Sequence, residues 1–121
     1  MIGLGCDVCA ISRMRESMGR ERFLQRFFTA HEQAHIAARK ARPEETAAGI
    51  FAAKEAFVKA LGTGFSGIGP ADVAVGHDGQ GAPFYEINGK MRAALEEKGA
   101  KTAFLSISHD GDTAFAVAVI E

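Results

Sequence analysis

The stretch from residue 51 to residue 64 is Phe51-Ala52-Ala53-Lys54-Glu55-Ala56-Phe57-Val58-Lys59-Ala60-Leu61-Gly62-Thr63-Gly64. Its apolar residues recur at helical spacing, and its closing glycines favour a helix stop. At about 100° per residue, one apolar face collects Ile50, Phe51, Phe57, Val58 and Leu61. Lys54 falls inside that face, where a lysine must either reach solvent or find an anion. The stretch therefore predicts the second half of a helix that carries a lysine in need of a partner.

Glu55 and Lys59 lie one helical turn apart at the border of the same face. A carboxylate flanked by two ammonium groups suits a bound Mg²⁺ and the phosphates that accompany it. The same spacing is also typical of an ordinary solvated ion pair. Spacing alone leaves both interpretations open.

The N-terminus alternates apolar residues with small ones. Ile2, Leu4, Cys6 and Val8 define one face of a predicted strand over residues 2–9, and the other face is almost bare of side chains. Glycines in a strand mark close approach by a ligand or by another backbone. Asp7 is the only ionisable group on the bare face. It is either a metal carboxylate in a cleft or the cap of the element that follows.

Composition restricts the possible classes. The 121 residues, 47% of them hydrophobic and 24% charged, suit one domain over residues 1–121. The net charge of −1 gives no general attraction to nucleic acid or to an anionic membrane. We see no membrane-spanning apolar run and no signal-peptide pattern. Cys6 and Cys9 would point to opposite faces of the strand, which favours two unpaired thiols in a reducing cytoplasm.

The remaining elements follow from local signals. Helices are predicted over residues 12–18, 21–27, 29–40, from Pro43 through the central stretch, and 88–98. The third of these opens on a capping box formed by Thr29 and Glu32. Strands are predicted over residues 72–75, 83–87, 104–108 and 113–120. The last strand is apolar almost throughout, so it should be central in its sheet or covered on both faces. Helices in the first half and hairpins in the second predict an α+β fold of mixed helices with an antiparallel sheet.

Four segments together form a family pattern. They are Ile2-Gly3-Leu4-Gly5-Cys6-Asp7-Val8, Ile11-Ser12-Arg13-Met14, the 51–64 block, and Leu105-Ser106-Ile107-Ser108-His109-Asp110. In this order they closely resemble the holo-[acyl-carrier-protein] synthase family, the small bacterial type of 4′-phosphopantetheinyl transferase. The resemblance spans nearly the whole chain, and Lys54-Glu55-Ala56 with Lys59, spaced from an N-terminal Gly-x-Asp, is its most specific part.

The resemblance implies a reaction and its site. The 4′-phosphopantetheine arm of coenzyme A would pass to a serine of apo acyl carrier protein, with release of adenosine 3′,5′-bisphosphate, in fatty acid biosynthesis. Asp7 and Glu55 would be the carboxylate ligands of Mg²⁺, and Lys59 would lie beside the pyrophosphate. Glu55, directly or through a metal-bound water, is the first candidate base for the serine proton, and Asp7 is the second.

Other positions are implied as contacts of coenzyme A. They are Lys54, Gly62, Gly64, Pro83, Ser108 and His109. Lys54 would alternatively pair with a neighbouring carboxylate, and the two glycines would alternatively form only a helix stop. The chain departs from the family at Ile50 and Ala82, where basic residues are frequent. A basic group from the set Arg39, Lys40 and Arg42 could hold the 3′-phosphate instead. The remaining histidines, His31, His35 and His77, are predicted to be scattered surface or cap residues.

The first helices carry a high density of arginine. Acyl carrier proteins are acidic, so a docking surface is predicted from Arg13, Arg20, Arg22 and Arg26, with apolar anchors Met14, Met18 and Phe23. Relatives of this size form trimers with active sites at subunit boundaries, which implies a homotrimer. Two alternatives remain: a Mg²⁺-dependent phosphohydrolase, and a non-catalytic module that binds carrier proteins.

Overall fold

The computed structural model of the protein describes all residues from 1 to 121. Five strands and five helices follow one another as β1 Gly3–Ala10, α1 Ile11–Met18, α2 Phe23–Phe27, α3 Ala30–Ala37, α4 Pro43–Leu61, β2 Val75–His77, β3 Pro83–Tyr85, α5 Gly89–Glu97, β4 Ala103–Asp110 and β5 Thr113–Ile120. The strands form two antiparallel sheets, one in the order β1-β5-β4 and one of β2 with β3. The predicted α+β fold with an antiparallel sheet is confirmed.

The last strand, β5, is central as its composition predicted. Ala114, Ala116 and Ala118 on its inner face are fully buried. The register places Asp7 beside Ala116 and Ile107, and places Cys9 beside Ala114 and His109. Small side chains in the centre of the sheet let α4 lie flat on this face. Residues of β1 and β4 therefore face the two sides of that helix.

Glycine on β1 permits a very close approach of α4. A methyl group added at Gly5 would clash with the carbonyl oxygen of Ala56, and one at Gly3 would clash with that of Ala60. The bare strand face thus receives another backbone, which is one of the two uses that the sequence left open. Asp7 is the next residue on this face and therefore lies at the border of α4.

Helix α4 begins and ends where local signals predict. Pro43 occupies its first turn, and Gly62 ends it in the left-handed conformation with φ of 78°. Most of its length is buried, and its alanines join a single core cluster of 25 residues. In no helix of the structure do length and hydropathy together suffice to cross a bilayer.

The outer face of the three-stranded sheet is apolar and uncovered in the single chain. Leu4 is 60% exposed, Val8 is 63% exposed and Phe104 is 56% exposed. Register joins these residues into rows, since Leu4 and Phe104 both flank Val119, and Val8 flanks Phe115. Below we call this set, with Phe115, the outer sheet face.

The strand predicted over residues 72–75 is correct only at Val75. Residues 70–72 form a 3₁₀ turn, and β2 begins only at Val75. Pro70 opens the turn, and the carboxylate of Asp72 accepts the N–H of Gly69 at 2.8 Å. A side-chain bond to the nearby backbone competes with extended structure here, which explains the difference.

Candidate active site

Asp7 and Lys59 form an ion pair between β1 and the last turn of α4. The Nζ of Lys59 donates to Oδ1 of Asp7 at 2.9 Å, and the Asp7 side chain is only 16% exposed. The hydrogen bond that Lys59 donates to Asp7 and the negative charge of Asp7 raise the pKa of Lys59. Lys59 therefore binds the strand carboxylate rather than Glu55 one turn away. Asp7 lines a cleft, so the pair brings the ammonium group of Lys59 next to that cleft.

Glu55 lines the same cleft as Asp7. Burial raises the pKa of the Glu55 carboxyl group, the negative charge of Asp7 raises it further, and Lys59 opposes the shift. The cleft has a volume of about 330 Å³ and is also lined by Arg13 and Phe23. The structure thus places two of the three side chains that sequence analysis selected as catalytic, Asp7 and Glu55, in one cleft, and the third, Lys59, is bound to Asp7. We call this cleft the carboxylate cleft.

The donor set of this cleft fits Mg²⁺. No three His, Cys, Asp or Glu side chains converge on one point in the chain, so the protein offers no closed cage for a metal ion. Mg²⁺ commonly takes one or two carboxylates and fills its other positions with water and substrate phosphates. Asp7 and Glu55 match that requirement, because they are two neighbouring carboxylates and the pKa of Glu55 is raised by burial and by the charge of Asp7.

Lys54 corrects one expectation. Its side chain is fully buried, and its Nζ pairs with Glu32 at 2.7 Å. The same ammonium group donates to the carbonyl oxygens of Pro70 at 2.8 Å and Val73 at 2.6 Å. All three of its N–H donors are therefore used inside the protein. Lys54 is not a coenzyme contact here. Lys54 instead pairs with a neighbouring carboxylate, that of Glu32, which was the alternative role considered for it.

Gly62 and Gly64 are also corrected. The N–H of Gly62 donates to the carbonyl of Lys59 at 3.0 Å, and the N–H of Gly64 donates to that of Val58 at 3.3 Å. Both residues have positive φ, which explains the need for glycine. Neither amide is left for a phosphate, so the two glycines form a helix stop.

A second cavity, of about 210 Å³, lies on the β4 side of α4. We call it the histidine cavity, and its lining includes His35, Arg39, Glu45, His77, Pro83 and His109. Two predicted coenzyme contacts, Pro83 and His109, are among these residues. The Nε2 of His109 lies 3.3 Å from a carboxylate oxygen of Glu45.

Ser108 is not part of this cavity. It pairs with Phe115 in the register and lies exposed on the outer sheet face, opposite to His109. Successive residues of a strand point to opposite faces, so the two cannot share one cavity of one chain. Of these two predicted coenzyme contacts, only His109 lines the histidine cavity, and the contact of Ser108 stays a prediction.

His35 and His77 were missed as site residues. They lie on α3 and β2, and their rings stack with centroids 4.0 Å apart and an interplanar angle of 12°. Nothing in the local sequence of either residue signals the contact, because the fold alone brings these distant segments together. Arg39, which follows α3, lines the same cavity and gives it a basic group.

The predicted docking surface is mostly exposed. The side chains of Arg13, Arg20, Arg22 and Arg26 face solvent, and Met18 and Phe23 are half-buried. Met14 is only 3% exposed and belongs to the core, so its assignment as an exposed anchor is wrong. Met14 lies on the face of α1 that packs inward. Arg13 and Phe23 border the carboxylate cleft, which places the surface next to the candidate catalytic groups.

Comparison with known proteins gives one consistent result. A family model described as the 4′-phosphopantetheinyl transferase superfamily matches residues 3–119. A holo-[acyl-carrier-protein] synthase from Treponema denticola is 41% identical over 121 residues, which covers all of this chain and 98% of the relative.

Solved structures agree with the sequence comparison. Holo-[acyl-carrier-protein] synthase from Neisseria meningitidis superposes with a TM-score of 0.89 at 31% identity, covering 100% of this chain and 98% of that one. The enzyme from Helicobacter pylori, solved in complex with coenzyme A, superposes with a TM-score of 0.84 at 27% identity, covering 98% and 99%.

Proposed function

The chain belongs to the 4′-phosphopantetheinyl transferase superfamily, and from this premise we propose that Asp7, Glu55 and Lys59 transfer the 4′-phosphopantetheine group of coenzyme A to a serine of apo acyl carrier protein. Adenosine 3′,5′-bisphosphate is the leaving group. The observation that carries the assignment of residues is the carboxylate cleft, where the Asp7–Lys59 pair at 2.9 Å adjoins Glu55.

The side chains suit attack on a pyrophosphate. The serine oxygen forms a bond to the β-phosphorus, the bond from that phosphorus to the bridging oxygen breaks, and the serine proton passes to Glu55. A carboxyl group whose pKa is raised by burial and by Asp7 is a better proton acceptor than an ordinary glutamate. Lys59 stabilises negative charge on the phosphoryl oxygens. Asp7 and Glu55 would hold Mg²⁺, which would neutralise the pyrophosphate and orient the leaving group.

The histidine cavity is proposed for the nucleotide end of the coenzyme. His109 and Pro83 line it, as the resemblance implied, and Arg39 supplies the basic group that Ile50 and Ala82 lack. Of the three basic residues considered for the 3′-phosphate, Lys40 and Arg42 do not line this cavity. Arg42 is paired with Glu45 at 2.9 Å. We therefore assign the 3′-phosphate contact to Arg39.

We also propose a homotrimer with active sites at subunit boundaries. The outer sheet face supports it, because covering Leu4, Val8 and Phe104 would remove apolar surface from water. In sedimentation equilibrium the protein is expected to have the mass of three chains, and Val8→Lys is expected to lower it. A wild-type monomer at micromolar concentration would refute the trimer.

Two further statements belong to the proposal. We propose that residues 1–121 form a single domain, which the one core cluster supports. We also propose a cytoplasmic enzyme acting in fatty acid biosynthesis. Cys6 and Cys9 are both free and lie on different faces of β1, as expected in a reducing compartment.

Intact-mass spectrometry tests the reaction directly. The protein is incubated with apo acyl carrier protein, coenzyme A and Mg²⁺. A gain of one phosphopantetheine on the carrier is expected. Release of adenosine 3′,5′-bisphosphate without a change in the carrier would indicate the phosphohydrolase instead, and carrier binding with neither product would indicate the non-catalytic module.

Reversing the charge of the docking surface should weaken carrier recognition. In Arg13→Glu/Arg26→Glu, two exposed cations, of which Arg13 borders the carboxylate cleft, become anions that repel an acidic partner. We expect the KM for the carrier to rise roughly tenfold or more, while the KM for coenzyme A changes by less than about twofold. Steady-state kinetics with each substrate varied in turn measures both constants.

The matched control is Lys98→Glu/Lys101→Glu. It changes the net charge by the same amount on exposed positions elsewhere in the chain. It should leave both KM values close to those of the wild type. An equal rise of both KM values in Arg13→Glu/Arg26→Glu would argue against a specific carrier surface.

A further inference from the structure

The stacked pair of His35 and His77 has no role in the proposed chemistry. Both rings line the histidine cavity, and neither has a hydrogen-bond or ion-pair partner. The other two histidines each lie beside a carboxylate, since His31 is 3.2 Å from Glu86 and His109 is 3.3 Å from Glu45. His35 and His77, which face the cavity without a carboxylate partner of their own, are therefore the unusual pair of this chain.

The charges around the pair come from every neighbouring element. His31 lies on α3, and Arg39 follows that helix. Asp78 follows β2 and Glu86 follows β3, while Glu45 lies on α4 and His109 lies on β4. Each nearby carboxylate already has partners. Glu45 accepts from Arg42, Glu86 lies beside His31, and Asp78 accepts the N–H groups of Gln80 and Ala82.

The burial of the two rings and the charges around them keep both imidazoles neutral at neutral pH. Burial lowers the pKa of His35 and of His77, and positive charge on Arg39 lowers both further. An anion placed in the cavity would raise the pKa of both imidazoles, because it favours the charged imidazolium form. A single proton is enough for the pair. An imidazolium stacked on a neutral ring is attracted to it, whereas two imidazolium ions at this separation repel each other.

We propose that His35 and His77 together bind the 3′-phosphate monoester at the nucleotide end of coenzyme A and take up one shared proton when it binds. This inference rests on the proposed function and adds to Arg39 a second, proton-dependent group of the same cavity. The complex holds more protons than the free protein, so affinity for coenzyme A rises as the pH falls from about 8 toward the phosphate's own pKa near 6.

Isothermal titration calorimetry of the full chain with coenzyme A tests the inference. Titrations in two buffers of different ionisation enthalpy at one pH give the number of protons taken up. The wild type is expected to take up roughly one half to one proton per coenzyme A near pH 7. Dephospho-coenzyme A, which lacks the 3′-phosphate, is expected to bind with much less uptake. The variants His35→Gln and His77→Gln should each lose most of it.

The control variant is His31→Gln. His31 lies on the same helix as His35, but it is exposed and outside the cavity. It should keep the wild-type proton uptake. Histidine ring NMR titrations of the wild-type protein give a second measurement that needs no variant. The pKa values of His35 and His77 should rise when coenzyme A is bound and stay unchanged with dephospho-coenzyme A.

The outcomes separate the inference from its premise. Binding of coenzyme A without proton uptake, equal uptake with dephospho-coenzyme A, or unchanged uptake in both His35→Gln and His77→Gln would overturn the role of the pair and leave the transferase assignment intact. Failure of the wild type to bind coenzyme A at any pH would overturn the proposed function, and this inference with it.

Discussion

Glu55→Gln and Asp7→Asn are each expected to lower turnover by about 10²–10⁴-fold while the protein stays folded. Either change removes one of the two carboxylates that line the carboxylate cleft and, in Glu55→Gln, the group proposed to accept the serine proton. The mass assay followed over time measures the rate. Circular dichroism confirms the fold.

Stability should move in the opposite direction in Glu55→Gln. The pKa of this carboxyl group is raised in the folded protein, so the folded state binds more protons than the unfolded state between the ordinary pKa and the raised one. The ionised form of Glu55 therefore destabilises the fold above that window. Removing the charge is expected to leave Tm at pH 7.5 equal or higher, and to reduce the loss of Tm between pH 4 and pH 7.

Glu96→Gln is the matched control, because Glu96 is an exposed glutamate on α5. It should retain wild-type turnover and the wild-type pH dependence of Tm. Near-normal turnover in Glu55→Gln or Asp7→Asn would remove that residue from the proposed site. A large loss of Tm in Glu55→Gln would assign it a structural role instead.

Lys54→Met is expected to lower the free energy of unfolding by about 3–5 kcal/mol, the range for removal of one partner of a buried ion pair. The change leaves the carboxylate of Glu32 buried without its cation, and it leaves the carbonyl groups of Pro70 and Val73 without their donor. Glu32 also accepts the N–H groups of Thr29 and Val75, so α3, α4 and β2 all meet at this pair. Urea unfolding measures the loss.

A double-mutant cycle shows whether the loss belongs to the pair. Lys54→Met/Glu32→Gln should be less destabilised than the sum of the two single variants, because neither charge is then left alone. Lys59→Met provides the contrast, since Lys59 is exposed and pairs with Asp7 at the cleft. It should lose turnover and keep its stability. Additive single effects, or a stable Lys54→Met protein, would contradict the role given to the pair.

Features that depend on neighbouring residues were predicted well. Pro43 and Gly62 bound α4 because each acts on the backbone at its own position. The Thr29–Glu32 capping box forms as predicted, because its bonds span a single turn. The uniform apolar composition of β5 indicated a strand that is central or covered on both faces, and β5 is the central strand of its sheet.

Predictions that depended on side-chain direction were less accurate. The resemblance implied both Ser108 and His109 as coenzyme contacts, but β4 extends through both and adjacent residues of a strand face opposite sides, so only His109 lines the histidine cavity. Met14 was placed on the docking surface with its arginine neighbours, but its side of α1 packs into the core. The correct end of β4 would have separated Ser108 from His109, and the correct orientation of α1 would have placed Met14 in the core.

The sequence alone determined the fold class, the central helix and the two candidate acidic residues, because these depend on local propensity, on periodicity and on the order of motifs along the chain. Tertiary structure alone decided that Lys54 binds Glu32, that Lys59 binds Asp7, and that His35 stacks on His77. These partners lie on different elements. Which of several possible charges meets a buried or half-buried group depends on how those elements pack, and the cost of leaving such a group unpaired then selects the contact.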